Sequence, residues 1–206
     1  ATLLASILNA HGVRTGLYTS PHLVRIEERI RVDGHCIAPD DLAALVDALG
    51  RFPELSYFET LTVAALQHFA ASGVQVAVLE AGLGGRWDAI NAVTPVVSLL
   101  TNVGTDHQAW LGPTRGHVAA EKAAALRGRE AIVGAWDDEV EGVIRAGASA
   151  PVSLASQWVR VSAAPSQAIR PYLDLGFSLV NRPELLSPGA SRHLMGEAAI
   201  GVEGDI

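Results

Sequence analysis

The chain holds one cysteine, one lysine and one methionine. The lone cysteine, Cys36, excludes an internal disulfide and leaves a thiolate metal cluster short of ligands. No apolar run reaches the roughly 18 residues that a membrane-crossing helix needs, so no membrane association is expected. Residues 3–8 are apolar, but no basic stretch precedes them and no cleavage site follows, so they read as a helix and not as a secretory signal. Positive charge is outweighed, with a formal net charge of −7. That balance argues against general nucleic-acid binding, which needs a basic face to neutralise phosphates, while a local anion pocket stays open. Together these absences point to a protein of a reducing compartment, the cytoplasm, and a monomer is expected.

What is present is apolar substance. With 206 residues, 49% of them hydrophobic, the chain can bury one substantial core, so one domain with a tail is the expectation. Fourteen of the fifteen basic residues are arginine, and Lys122 is the exception. An amine can lose its proton and react, whereas a guanidinium effectively cannot, so a single lysine draws attention to itself; chance is the plainer account.

The stretch Val74–Asn91, VQVAVLEAGLGGRWDAIN, organises the chain. Its apolar run reads as a buried strand that delivers one carboxylate, Glu80, into a loop turning through Gly82, Gly84 and Gly85. In open α/β folds the carboxyl ends of parallel strands are where ligands bind, although glycines after a strand also make ordinary turns. Residues 95–101 form a second such strand, followed by Asn102, Asp106 and His107, and Glu80 and His107 could share a cation at one sheet rim.

Around these strands the pattern alternates. Residues 1–11 read as a helix ending at Gly12, 13–18 as a strand, 39–49 as a helix opened by Asp40 and Asp41, and Ser56 introduces a helix through Ala71. Further on, residues 115–127 read as a helix carrying Glu121 and Lys122, 129–134 as a strand, 137–146 as a helix and 152–154 as a strand. This gives an α/β fold, a mostly parallel sheet with flanking helices, over residues 1–156, and a poorly assigned remainder over 157–206 with a helix-like run at 194–202. Ser20 precedes Pro21 and sits on a loop, its hydroxyl suited to a hard cation or to a helix cap. Arg25, Arg29 and Arg31 suit an acidic substrate, but a solvated edge strand or loop is the commoner use of such a stretch. Residues such as Tyr57 and Phe58 more often belong to a core than to a ligand contact.

The segments YTSPHLVRIEERIRV, SYFETLT, LEAGLGGRWDAIN, TNVGTDHQAWLG and AEKAAAL, in that order, resemble the signatures of the folylpolyglutamate synthase and dihydrofolate synthase family of the Mur ligase superfamily. The resemblance runs from residue 1 to about residue 136. It implies the central domain of an ATP-dependent ligase, related to P-loop nucleotide-binding folds, that joins L-glutamate to dihydropteroate or folate through an acyl phosphate. By that resemblance Ser20 and Glu80 hold Mg2+ near the ATP phosphates, His107 holds a second ion, and Lys122 carries a carbamate that supplies an anionic oxygen to the metal site. His107 and Lys122 are thereby the catalytic pair. Ser56, Tyr57, Phe58 and Glu59, with Trp87, Asp88 and Ala89, match the pterin-substrate contacts, with Trp87 in place of a smaller aliphatic residue. A fainter echo at residues 189–202 has Glu197 where the family carries an adenine-contacting asparagine.

No G-x-x-x-x-G-K-[ST] segment occurs, and the family's phosphate loop would fall just before residue 1. The chain as given is therefore expected to be N-terminally truncated, to lack the C-terminal ligase domain, and to have little or no ligase activity. A cell-wall-type Mur ligase fragment and a non-enzymatic degenerate paralogue are the alternatives.

Overall fold

Tyr18 is fully buried, and the first half of the chain is assembled around the strand it ends. The computed structural model describes residues 1–134 and 136–155. They fall into two compact units, Ala1–Leu83 and a second beginning at Gly84, where composition alone had suggested one core.

The first unit runs α1 (Thr2–Ala10), β1 (Thr15–Tyr18), β2 (Ile30–Val32), β3 (His35–Cys36), α2 (Pro39–Leu49), α3 (Tyr57–Ala71) and β4 (Val76–Leu79). Its sheet has the order β3-β2-β1-β4. Strand β1 pairs in parallel with β4, Thr15 opposite Val76 through Tyr18 opposite Leu79, and antiparallel with β2. All four residues of β1 are buried because helices and neighbouring strands enclose it. Strand β4 differs from its expected burial: among its residues only Val78 is buried, since β4 is the outer strand of this sheet among the described residues. The β1–β4 register has a functional consequence. It brings the residues after Tyr18 and the residue after Leu79 to the same rim.

Local signals set the helix ends. Pro39, free of the need for an intrahelical N–H partner, begins α2, with Asp40 and Asp41 in its first turn. Helix α3 opens with a reciprocal cap, in which the Glu59 amide donates to Ser56 Oγ at 3.3 Å and the Ser56 amide donates to Glu59 Oε2 at 2.8 Å. Its buried face, Leu61, Ala64, Ala65 and Phe69, covers the sheet at helical spacing.

The second unit contains β5 (Val97–Leu100), α4 (Gln108–Leu111), α5 (Arg115–Ala123), β6 (Glu130–Val133), α6 (Asp138–Gly147) and β7 (Val152–Leu154). Its sheet, β5-β6-β7, is parallel throughout. Strands β4 and β5, expected to share one rim, thus belong to different sheets among the described residues. Ala119 and Ala123 of α5 let that helix approach Val140 and Ile144 of α6 and Ala131 and Val133 of β6, all in one buried cluster. The expected helix-like run at 194–202, Glu197 and the rest of the 157–206 segment lie outside the described residues.

Candidate functional site

In the first unit the carboxyl ends of β1 and β4 gather Ser20 and Glu80. The Glu80 amide donates to the Tyr18 carbonyl at 2.9 Å, continuing the β1–β4 ladder by one residue. Its carboxyl group is half-buried and held above the usual carboxylate range, by burial first, against the opposing effect of a hydrogen bond from the Ser20 backbone amide. The Ser20 hydroxyl makes no hydrogen bond among the described residues, and Ser20 precedes a cis proline. A carboxylate pressed by burial toward its neutral form is stabilised as an anion by a cation. The pair of hard oxygens, carboxylate and hydroxyl, fits a magnesium ion, which keeps much of its coordination for water and phosphate. Among the described residues no group of three or more His, Cys, Asp or Glu side chains converges to hold an ion unaided.

Helix α3 delivers its first residues in separate directions. Tyr57 is exposed, whereas Phe58 lies against the glycine loop and Tyr18, with ring centroids 5.7 Å apart. A Cβ on Gly82 would stand 2.6 Å from Phe58 Cζ, so the loop after Glu80 passes flat across that ring only because residue 82 has no side chain. Ser56 and Glu59 direct their side chains to each other's backbone, as the cap of α3.

The second unit carries the remaining predicted residues. Trp87 is 89% exposed, while Asp88, next to it, is 8% exposed and caps the 3-10 turn Ala89–Ala92 by accepting from the Ile90 amide at 3.0 Å. The loop around them is clamped. Arg86 Nε donates to Glu121 Oε1 at 2.9 Å, and Asn91 Nδ2 donates to the carbonyls of Gly85 and Arg86. Arg127 in turn donates to Asn91 Oδ1 at 2.9 Å and to the carbonyls of Asn91 and Val93. A Cβ on Gly85 would lie 2.7 Å from the Glu121 carbonyl oxygen and 3.1 Å from that of Lys122, so the loop backbone rests on the last turn of α5. Lys122 is half-buried there, and its amine has no partner among the described residues. His107 is exposed and holds the left-handed backbone conformation, φ 60°, at the start of α4, an uncommon state for a side-chain-bearing residue.

The structure therefore brings Ser20 and Glu80 together, and places Trp87, Asp88 and Ala89 on a loop fixed to the helix of Lys122. His107 and Lys122 belong to the second unit, and Ser20, Glu80 and the residues 56–59 to the first. Sequence reasoning missed Arg86, Asn91, Glu121 and Arg127 as the clamp. It also read the stretch from Arg25 to Arg31 as solvated, whereas Arg29 is buried, because its backbone closes onto β1 and its side chain onto His22 and Tyr57. A polar residue ending a glycine loop, as Asn91 does, was the available signal for the clamp.

Short parallel strands with helices between them, and polar groups past the strand ends, define an α/β protein of the kind that binds ligands at its sheet rims. No family model matches the chain. It is 43% identical over 136 residues to a dihydrofolate synthase/folylpolyglutamate synthase of Escherichia coli K12, a stretch of 64% of this chain and 32% of that protein. Among solved structures it is similar to E. coli FolC in complex with DHPP and ADP, with a TM-score of 0.71 and 30% identity, over 89% of this chain and 51% of that one. It is also similar to the bifunctional folylpolyglutamate synthase/dihydrofolate synthase of Yersinia pestis complexed with AMPPNP and Mn ion, with a TM-score of 0.66 and 36% identity, over 74% of this chain and 38% of that one. The chain belongs to the folylpolyglutamate synthase/dihydrofolate synthase family, and spans about a third of the length of the curated E. coli relative.

Proposed function

We propose that the protein this chain represents joins L-glutamate to the carboxylate of dihydropteroate or folate at the expense of ATP. A carboxylate is a poor acylating agent, and its mixed anhydride with phosphate is a good one. ATP would therefore phosphorylate the pterin-linked carboxylate, releasing ADP, and the glutamate amine would displace phosphate to form the amide. The observation that carries the reading is the half-buried Glu80 carboxyl beside Ser20 at the rim of β1 and β4. Ser20 and Glu80 would hold one Mg2+ and His107 a second; bound magnesium neutralises phosphate and carboxylate oxygens so that two anions can meet.

Lys122 would add carbon dioxide to its free amine, losing a proton to become a carbamate and an anionic oxygen ligand. Its amine, without a partner among the described residues, is suited to that. By the family resemblance, Ser56, Tyr57, Phe58 and Glu59 of the first unit, and Trp87, Asp88 and Ala89 of the second, would each contribute contacts to the pterin-bearing substrate. Asp88 and Phe58 contribute by shaping backbone, since both are turned into the fold, while Tyr57 and Trp87 offer open aromatic faces. The protein would act in the cytoplasm as a monomer.

Calorimetry of the chain with dihydropteroate, folate and a UDP-linked muramoyl peptide tests the substrate class, with ATP-dependent glutamate incorporation measured on the same samples. Binding of a pterin ligand, weakened by Tyr57→Ala, is expected. Binding of the muramoyl acceptor in preference to both pterins would transfer the chain to the cell-wall branch.

A further inference from the structure

Arg29 is the one arginine among the described residues that is buried, at 9% exposure, and no carboxylate among them pairs with it. Other arginines find acids: Arg14 with Asp33, Arg25 with Glu27, Arg86 with Glu121, Arg115 with Asp137, and Arg145 with Glu141. Arg29 instead donates from Nε to His22 Nδ1 at 2.9 Å and sets its guanidinium carbon 5.8 Å from the centroid of the Tyr57 ring. Its two terminal nitrogens have no acceptor there and still meet solvent, because Arg127 Nε is the one fully enclosed, unpaired side-chain polar atom among the described residues.

Taking a guanidinium from water without a counter-charge is unfavourable, and an arginine cannot shed its proton to escape the cost. The nearest acid in sequence, Glu28, is already committed. Its carboxylate accepts from the amides of Leu23, Val24 and Arg25 at 2.9, 3.2 and 2.9 Å. The fold thus fastens the available acid to the loop and leaves the cation uncompensated. Arginine can only donate, so His22 Nδ1 must accept, and the ring proton is on Nε2, which adds a second donor beside the first.

The location is also defined. The Thr19 amide donates to the Arg29 carbonyl at 3.0 Å, which ties Arg29 to the carboxyl end of β1, next to Ser20. On the other side of the guanidinium, Tyr57 presents an aromatic face 58% exposed. A forked cation, an imidazole donor and an open aromatic ring in one place suit a flat ligand that carries a carboxylate or phosphoryl group. We propose that Arg29, oriented by His22 and Tyr57, seats an oxyanion of the substrate. This rests on the folate reading for the identity of the ligand, where the source is the carboxylate of the pteroate unit or a phosphate of the nucleotide.

The unaltered chain decides first. The Arg29 Nε–H resonance is followed by NMR while dihydropteroate, a pterin without its aminobenzoate, ADP and inorganic phosphate are added in separate titrations. Dihydropteroate is expected to move it and the bare pterin to leave it in place. In Arg29→Met the affinity for dihydropteroate, read by calorimetry, should fall by about tenfold or more, as for loss of a charge-assisted hydrogen bond, with the bare pterin unaffected. Arg29→Lys, which keeps the charge and loses the fork, should recover part of the loss. If dihydropteroate binds while the resonance stays still and Arg29→Met binds it as before, the seat is refuted and the folate reading stands. If no pterin binds but ADP or phosphate moves the resonance, the folate reading fails and the seat belongs to a phosphoryl group. A resonance indifferent to all four compounds refutes the seat, and it does so even if Arg29→Met does not fold.

Discussion

Arg127 and Asn91 are joined twice, side chain to side chain at 2.9 Å and side chain to backbone at 2.8 Å, and Asn91 passes the restraint on to the carbonyls of Gly85 and Arg86. The peptide bond after Arg86 is therefore held from two sides. Asn91→Ala should release it, and trypsin should cut after Arg86 several times faster than in the unaltered chain. The accompanying loss of stability should be about 1–2 kcal/mol, the usual scale for part-buried hydrogen bonds. An unchanged cutting rate at Arg86 would show that the loop is held by something else.

Gly85→Ala sets a methyl group against two backbone carbonyls that belong to a helix and cannot swing aside. We expect a destabilisation of about 1–3 kcal/mol in urea unfolding. Gly142 provides the opposite case: it lies within α6, and a Cβ there meets nothing within 4 Å. Gly142→Ala should stabilise by about 0.5–1 kcal/mol through helix propensity. Equal effects at the two positions would contradict the packing of the loop on α5.

The loop from Leu23 to Arg25 should respond to acid. The amides of Leu23 and Arg25, first among the causes, hold the Glu28 carboxyl below its ordinary value of 4.5. A carboxyl lowered in the folded state stabilises above its unfolded value, and that contribution is lost as the pH falls through the folded value. Amide exchange of Leu23, Val24 and Arg25 should therefore accelerate below about pH 4.5, beyond the intrinsic trend, and Glu28→Gln should show the acceleration already at neutral pH. Exchange indifferent to both changes would mean that the three hydrogen bonds do not order the loop.

Removing the cap of α3 should be felt in stability. Ser56→Ala is expected to cost about 1 kcal/mol, with Ser56→Asp close to neutral because aspartate accepts the same amide. Thermal unfolding of the three forms makes the comparison, and an aspartate form as weak as the alanine form would argue against the cap.

Much of this architecture was legible because local chemistry and tertiary structure agree. The Ser56-to-Glu59 spacing announces α3, Pro39 with two aspartates announces α2, and the apolar runs before Glu80 and Asn102 announce strands that are present, if shorter than read. Depth was less legible than type. Residues 76–79 are as aliphatic as an interior strand, yet among the described residues β4 is the outer strand of its sheet, and no property of those residues distinguishes the two situations. Arg29 illustrates the converse. It lies in a stretch dominated by arginine and glutamate, and its burial follows from the closure of His22 and Tyr57 upon it, which the charge pattern does not encode. In the same way the alternation of Trp87 and Asp88 gave no sign of which would face water.

The loop after Glu80 is unequal along its length. At Gly85 even a single added carbon is refused by the neighbouring helix, so that position offers evolution no room; two residues later the indole of Trp87 stands almost wholly in water and can be exchanged without disturbing its support. On the proposed role of Trp87 in substrate binding, ligand preference can be retuned at residue 87 while the mount beneath it is left unchanged.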